Sequence, residues 1–212
     1  LGLGQWGGTK PGSWVCMSGS GHHPGRTHYQ WHNLADHGDA RGGGCACAVQ
    51  QPHQIDAGGR GPLRRGAAAA GVKRGAYHFY YHCRAPEEQA RWFFKHVPRT
   101  SGALPPVLDM EWTPTSPTCT IRREASVIRR DAAVIIAMMT EHYGTRPVLY
   151  VTVDFFEDNE MWKLSGVDFW LRSVAAHPSD RYPGQHWTFW QYTSTGLVPG
   201  MTGEIDINVF AG

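Results

Sequence analysis

Pro105-Pro106-Val107-Leu108-Asp109-Met110-Glu111-Trp112 reads as a short buried strand opened by two prolines. Side chains along a strand alternate between faces, so Asp109 and Glu111 point one way. Leu108, Met110 and Trp112 point the other way and make an apolar face. Two like charges on one face repel, and burial raises the cost of ionising both, so at least one carboxyl holds its proton above the usual range. A carboxyl of that kind suits a general acid. The plainer alternative is a sheet edge carrying two solvated acids, and the stretch taken alone leaves both open.

Working outward, residues 75–81 (GAYHFYY) read as a strand. Pro86 then sits at a first-turn position, followed by Glu87 and Glu88 near the positive end of a helix. Ala90, Phe93, Phe94 and Val97 fall at i, i+3, i+4 and i+7 and give that helix one apolar face. Downstream, a long helix is predicted from about Arg122 to Tyr143. Ile128, Ala132, Ile135 and Met139 form its core stripe and Gly144 its C-cap. Further strands are predicted over 147–152, 168–172, 187–192 and 205–210. Strands alternating with helices indicate a parallel sheet with helical crossovers. In a closed barrel of such units the chemistry lies at the C-terminal ends of the strands, and Asp109 and Glu111 lie at such an end.

The 212 residues suffice for one domain with a full core. A net charge of +2 argues neither for nor against a nucleic-acid partner, and none is expected. The nine tryptophans exceed what a core of this size needs, and flat aromatic faces suit sugar rings. No run of about 18 apolar residues exists, so no membrane span is expected. No charged-then-apolar leader is seen at Leu1, and an exported form is expected to carry its signal outside these residues. The five cysteines are Cys16, Cys45, Cys47, Cys83 and Cys119. None of their spacings is a good zinc pattern, Cys45-x-Cys47 near His53 being a weak one, and no metal is expected. The odd count leaves at least one thiol unpaired within the chain.

Residues 1–70 differ in texture. They hold 16 of the 26 glycines, no phenylalanine and one isoleucine, Ile55. Such a composition buries too little apolar surface to offset its ordering entropy. The exception is 62–71, where Leu63 and four alanines suit a short helix ended by Gly71.

Six motifs in order carry a family resemblance: GAYHF at 75–79, LDMEW at 108–112, RPVLYVTVDFF at 146–156, FWLRS at 169–173, WTFWQYTSTG at 187–196 and DINVF at 206–210. Together they resemble glycoside hydrolase family 25, the muramidases of the Chalaropsis lysozyme type, over residues 71–210. The resemblance implies an α/β fold, a modified TIM-like (β/α) barrel. It implies cleavage of the β-1,4 bond between N-acetylmuramic acid and N-acetylglucosamine in peptidoglycan. The family's Asp-x-Glu pair falls on Asp109 and Glu111. Glu111 is then the general acid, and Asp109 stabilises charge or orients the substrate's N-acetyl group. The family's late aspartate falls on Asp206. Tyr77, Phe79, Tyr150, Trp190 and Tyr192 are expected to line the sugar groove, with ordinary core packing as the alternative for Phe79 and Trp190. No cofactor is implied, and a secreted or periplasmic monomer acting on cell-wall glycan strands is expected.

The N-terminal third departs from the family. Its usual Gly-Ile-Asp-Val-Ser and Ile-Lys-Ala-Thr-Glu-Gly strands are not recognisable, and Asp36, Asp39 and Asp56 sit in no matching motif. The domain reading is therefore an irregular segment over 1–65 and an incomplete barrel over 66–212. One hypothesis for the change is a shifted reading frame over residues 1 to about 65: codons for His53-Gln54-Ile55-Asp56 read one base later are compatible with Ile-Lys-Ser-Thr. Without two strands the sheet has an open edge beside 77–81, and low stability and impaired lysis are expected. The competing readings are a peptidoglycan-binding protein without turnover and a non-functional product. Finally, Cys83 follows one strand and Cys119 follows the next. Neighbouring parallel strands place their following loops side by side, so these two thiols are expected to bond.

Overall fold

The computed structural model describes residues 75–197 and 205–211. Expectations for the glycine-rich segment, the Cys45–Cys47 pair and the alanine-rich helix fall outside them. The described elements are β1 (Tyr77–Phe79), α1 (Pro86–His96), β2 (Val107–Met110), α2 (Ala125–Tyr143), β3 (Val148–Val151), α3 (Val153–Asp158), a 3-10 turn (Met161–Lys163), β4 (Asp168–Arg172), α4 (Pro178–Arg181), β5 (Phe189–Gly196) and β6 (Ile205–Phe210). They form a mixed α/β structure with one six-stranded sheet in the order β1-β2-β3-β4-β5-β6. The first five strands run parallel and β6 returns antiparallel to β5.

Strand alternation divides the sheet into two faces. Leu108, Met110, Leu149, Val151, Phe169 and Leu171 face the helices and are buried with Ala90 and Phe93 of α1 and Ile128, Ala132, Ile135 and Met139 of α2. The stripe predicted for the long helix is thus its core face. Tyr77, Val107, Val148, Tyr150 and Trp170 form a second cluster on the opposite face. The indole N–H of Trp170 donates to Asn208 Oδ1 at 2.8 Å, tying β4 to β6 beneath that face.

Helix α2 starts at Ala125, three residues later than Arg122. Two adjacent arginines in the first turn would lie against the positive end of the helix dipole. They bond elsewhere: Arg122 to Asp158 at 3.1 Å and Arg123 to buried Asp131 at 3.0 Å. At its other end Gly144 takes the left-handed conformation, φ 71°, and its N–H caps Thr140 O. Helix α3 is absent from the expectations, because Val153, Phe155 and Phe156 are weak helix formers. Both phenylalanines bury in the core from helical positions, and that burial outweighs local preference.

Cys83 and Cys119 are joined as a disulfide, with Cα atoms 5.8 Å apart. It ties the segment after β1 to the segment after β2, closing a 36-residue separation. Loop-closure entropy gives such a link about 2–4 kcal/mol.

Truncating the core stripe tests this packing. Ile135→Ala should cost about 2–5 kcal/mol in a urea titration, whereas Ala137→Ser on the exposed side of α2 should change the midpoint little.

Candidate active site

The site begins with Asp109 on β2 and Glu111 just past its end, both on the face opposite the helices. Asp109 pairs in register with Phe79 on one side and Tyr150 on the other. Met110 pairs with Val151, and Val151 with Leu171. One residue further, Glu111, Thr152 and Arg172 therefore fall in the next row, on the acid face. Arg172 pairs with Gln191, and Gln191 with Asn208. Asp206 stands two residues from Asn208 on β6, so alternation gives it the same face. Three carboxyls from two separated strands thus meet above a floor of aromatic rings.

Burial dominates their electrostatics. Asp109 and Asp206 are only 7% and 6% exposed. Burial first, then the charges of Glu111 and Asp206, push the Asp109 carboxyl well above the usual carboxylate range. Its Oδ1 is buried without a hydrogen-bond partner among the described residues. An unpartnered buried oxygen is costly when charged, which favours the protonated acid or a bound donor. Glu111 is raised to about 7, by burial above all, with Asp154 and Asp206 adding to the rise and Arg172 opposing it. Tyr150 is buried beside these groups and is pushed up by the same causes, so its phenol stays neutral and able to donate.

Groups behind the strand hold Glu111 in place. His82 Nε2 donates to the Glu111 carbonyl at 3.0 Å, since a carbonyl only accepts. The His82 ring stacks on Phe155 at 5.3 Å and lies against Trp112. Burial lowers its proton affinity and keeps it neutral. Trp112 is fixed in turn by its indole N–H, which donates to Asp158 Oδ2 at 2.8 Å, and by the Arg122 guanidinium over its ring.

The five expected groove aromatics separate. Tyr150 and Phe79 flank Asp109. Tyr77 lies at the foot of the same face, buried among Val107 and Val148. Trp190 pairs with Leu171, so alternation turns it to the face opposite Gln191, where it packs on His177 and Trp187. Its indole N–H donates to Ser173 O at 2.9 Å. Tyr192 is exposed with its ring 5.8 Å from Trp190. The structure therefore does not place Trp190 beside the acids. In the other direction, Arg172 and Asp154 act on the Glu111 carboxyl, Gln191 shares the acid face by register, and His82 supports Glu111 from behind, none of them having been singled out. Arg172 was within reach, because alternation along FWLRS puts it on the face of Trp170. Among the described residues, no cluster of His, Cys, Asp or Glu could hold a metal ion.

A family model, glycosyl hydrolases family 25, matches residues 63–201, and the chain belongs to that family. It is 32% identical over 145 residues to the uncharacterized protein YegX of Escherichia coli O157:H7, covering 67% of this chain and 49% of that one. It is also 32% identical over 154 residues to Lysozyme M1 of Streptomyces globisporus, covering 68% and 51%. The chain thus spans about half the length of the curated relatives it matches. Among solved structures it resembles a family 25 glycosyl hydrolase from Bacillus anthracis, with TM-score 0.62, 28% identity, and 79% and 77% of the two chains covered. A bacterial lysozyme from Streptomyces coelicolor follows, with TM-score 0.59, 25% identity and coverage of 80% and 81%.

The raised proton affinity of Glu111 has a sign that stability reads directly. A carboxyl that binds its proton more tightly when folded contributes stability that is fully present below about pH 4.5 and lost as pH rises through about 7. Glu111→Gln removes that loss. The drop in urea midpoint between pH 4.5 and pH 8 should therefore be smaller in the variant than in the parent.

Proposed function

We propose that the chain is a peptidoglycan hydrolase that cleaves the β-1,4 bond between N-acetylmuramic acid and N-acetylglucosamine. The observation that carries this reading is the Glu111 carboxyl. It is held protonated to about pH 7 beside buried Asp109 and Asp206, on the open end of the parallel sheet. Family membership and the likeness to Lysozyme M1 support the substrate class. We read the sheet as part of the family's modified β/α barrel, with residues 66–212 as its catalytic domain.

In this mechanism Glu111 gives its proton to the glycosidic oxygen as the bond to the muramic C1 lengthens. The leaving sugar departs as a neutral alcohol. Positive charge grows at C1, where Asp109 stabilises it directly or orients the neighbouring N-acetyl oxygen that does so. Asp206 raises the proton affinity of both acids and holds the electrostatic balance of the site. Glu111 then accepts a proton from the water that adds to C1, which restores the acid. Tyr150, kept neutral, donates to a sugar oxygen above Asp109. The reaction requires no cofactor. Secretion to the cell wall and action as a monomer go with this reading.

Three measurements test it on the same walls. Glu111→Gln should lower turbidity clearing of purified peptidoglycan by about 10²–10⁴-fold with the far-ultraviolet spectrum unchanged. Retention of more than half the activity would refute the assignment, while binding to insoluble walls without any clearing would favour a carbohydrate-binding protein. Clearing by the parent should also fall on the alkaline side as Glu111 loses its proton near pH 7. Asp206→Asn should remove one of the charges that raise Glu111, moving that alkaline fall to lower pH as well as reducing the rate.

A further inference from the structure

Beside the acid face, Thr152 after β3, helix α3, the end of β4 with the loop that follows it, and α4 line an open cleft of about 320 Å³. Four charged residues line it: Asp154 and Glu157 from α3, Arg172 from the end of β4, and Arg181 from α4. The two acids stand three residues apart, on one face of their helix. None of the four forms an ion pair among the described residues, although two cations and two anions share one small space. Asp154 accepts a hydrogen bond from Thr152 Oγ1 at 2.6 Å, which holds its carboxylate in place. Tyr182 is fully buried beside the cleft, and its hydroxyl donates to Arg172 O at 2.6 Å, fixing the turn between β4 and α4. The proton affinity of that phenol, raised chiefly by burial, responds to all four charges, as expected if they converge on it.

Opposite charges on separate elements that face one space without touching leave room for a ligand carrying both signs. A simple anion would meet Asp154 and Glu157, and a simple cation would meet Arg172 and Arg181. A neutral sugar can hydrogen-bond all four through its hydroxyls but brings no opposite charge to any of them. An ammonium and a carboxylate on one carbon satisfy both pairs, the carboxylate accepting from guanidinium groups and the ammonium donating to carboxylates.

We propose that this cleft binds a zwitterionic amino-acid head group, namely the free end of a diamino acid in the peptide stem that muramic acid carries. The proposal rests on the peptidoglycan reading above and names the part of the substrate that lies outside the cleaved sugars. Arg172 belongs to both places, since it lines the cleft and opposes the rise at Glu111. A stem seated there holds its muramic residue next to the acid that protonates the bond. Cleavage would then favour walls whose third stem residue ends in such a head group over walls in which it ends in a lone ammonium.

The test uses the intact chain and two soluble disaccharide-tetrapeptides, one with diaminopimelate and one with lysine at the third stem position. Calorimetry should show tighter binding of the diaminopimelate form by about tenfold, the size of one charge-assisted hydrogen bond. Arg181→Met and Glu157→Gln should each erase most of that preference while leaving the fold, read by circular dichroism, intact. Equal affinity of the parent for the two peptides, or an undiminished preference in both variants, would overturn the proposal. Wall clearing is measured in parallel and separates the two readings. Preference without clearing leaves the cleft standing and removes the hydrolase. Clearing without preference removes the cleft and leaves the hydrolase.

Discussion

Asp109, Glu111 and Asp206 repel one another, and burial denies them the water that would screen the repulsion. Coulomb energies grow several-fold as the effective dielectric falls from that of water to that of a protein interior. The cheapest response is to keep protons: Asp109 is pushed well above the usual carboxylate range, and Glu111, raised to about 7, is the acid poised near neutrality. Its position at the end of β2, rather than inside it, leaves it nearer the open edge than Asp109. The Arg172 guanidinium opposes the rise at Glu111 and limits it. The site is therefore tuned by four strands at once: β2 brings two acids, β6 the third, β4 the guanidinium and β3 a neutral phenol.

Such a cluster destabilises the fold, and the remainder of the structure offsets that cost. On the reverse face, Leu108, Met110, Leu149, Val151, Phe169 and Leu171 of β2, β3 and β4 are buried with residues of α1 and α2. Burying a large aliphatic side chain contributes about 1.5–3 kcal/mol, and this face buries many. Behind Glu111, the neutral ring of His82 serves as both spacer and hydrogen-bond donor. The Cys83–Cys119 link joins the segments that follow β1 and β2, close to where the acids emerge. Apolar packing and acid chemistry thus occupy opposite sides of one strand, and residue alternation keeps them apart.

Much of this could be read from residues alone, for identifiable reasons. Val107 to Met110 alternates cleanly, so the shared face of Asp109 and Glu111 followed from geometry. The stripe through Ile128, Ala132, Ile135 and Met139 follows the helical period, and each of these residues is fully buried. Trp190 stays open between groove and core in the sequence, because it belongs to an aromatic-rich strand and composition does not say which face a ring takes. Its pairing with Leu171 decides that. Helix α3 was illegible because Phe155 and Phe156 read as strand residues until the core that receives them is known. The charged cleft was hidden for a further reason. Asp154, Glu157, Arg172 and Arg181 come from three elements, and only the folded chain brings them to one space.

The central claim is that burial first, and the charges of Asp154 and Asp206 second, raise Glu111 until it gives up its proton only near neutrality. Carbon-13 labelling of the glutamate side chains, with Glu111→Gln to assign the resonance, follows its carboxyl directly as pH is varied. The account predicts a Glu111 midpoint near 7 that falls when Asp206→Asn removes one repelling charge. A midpoint in the usual glutamate range, about 4.3, and unmoved by Asp206→Asn, would contradict it.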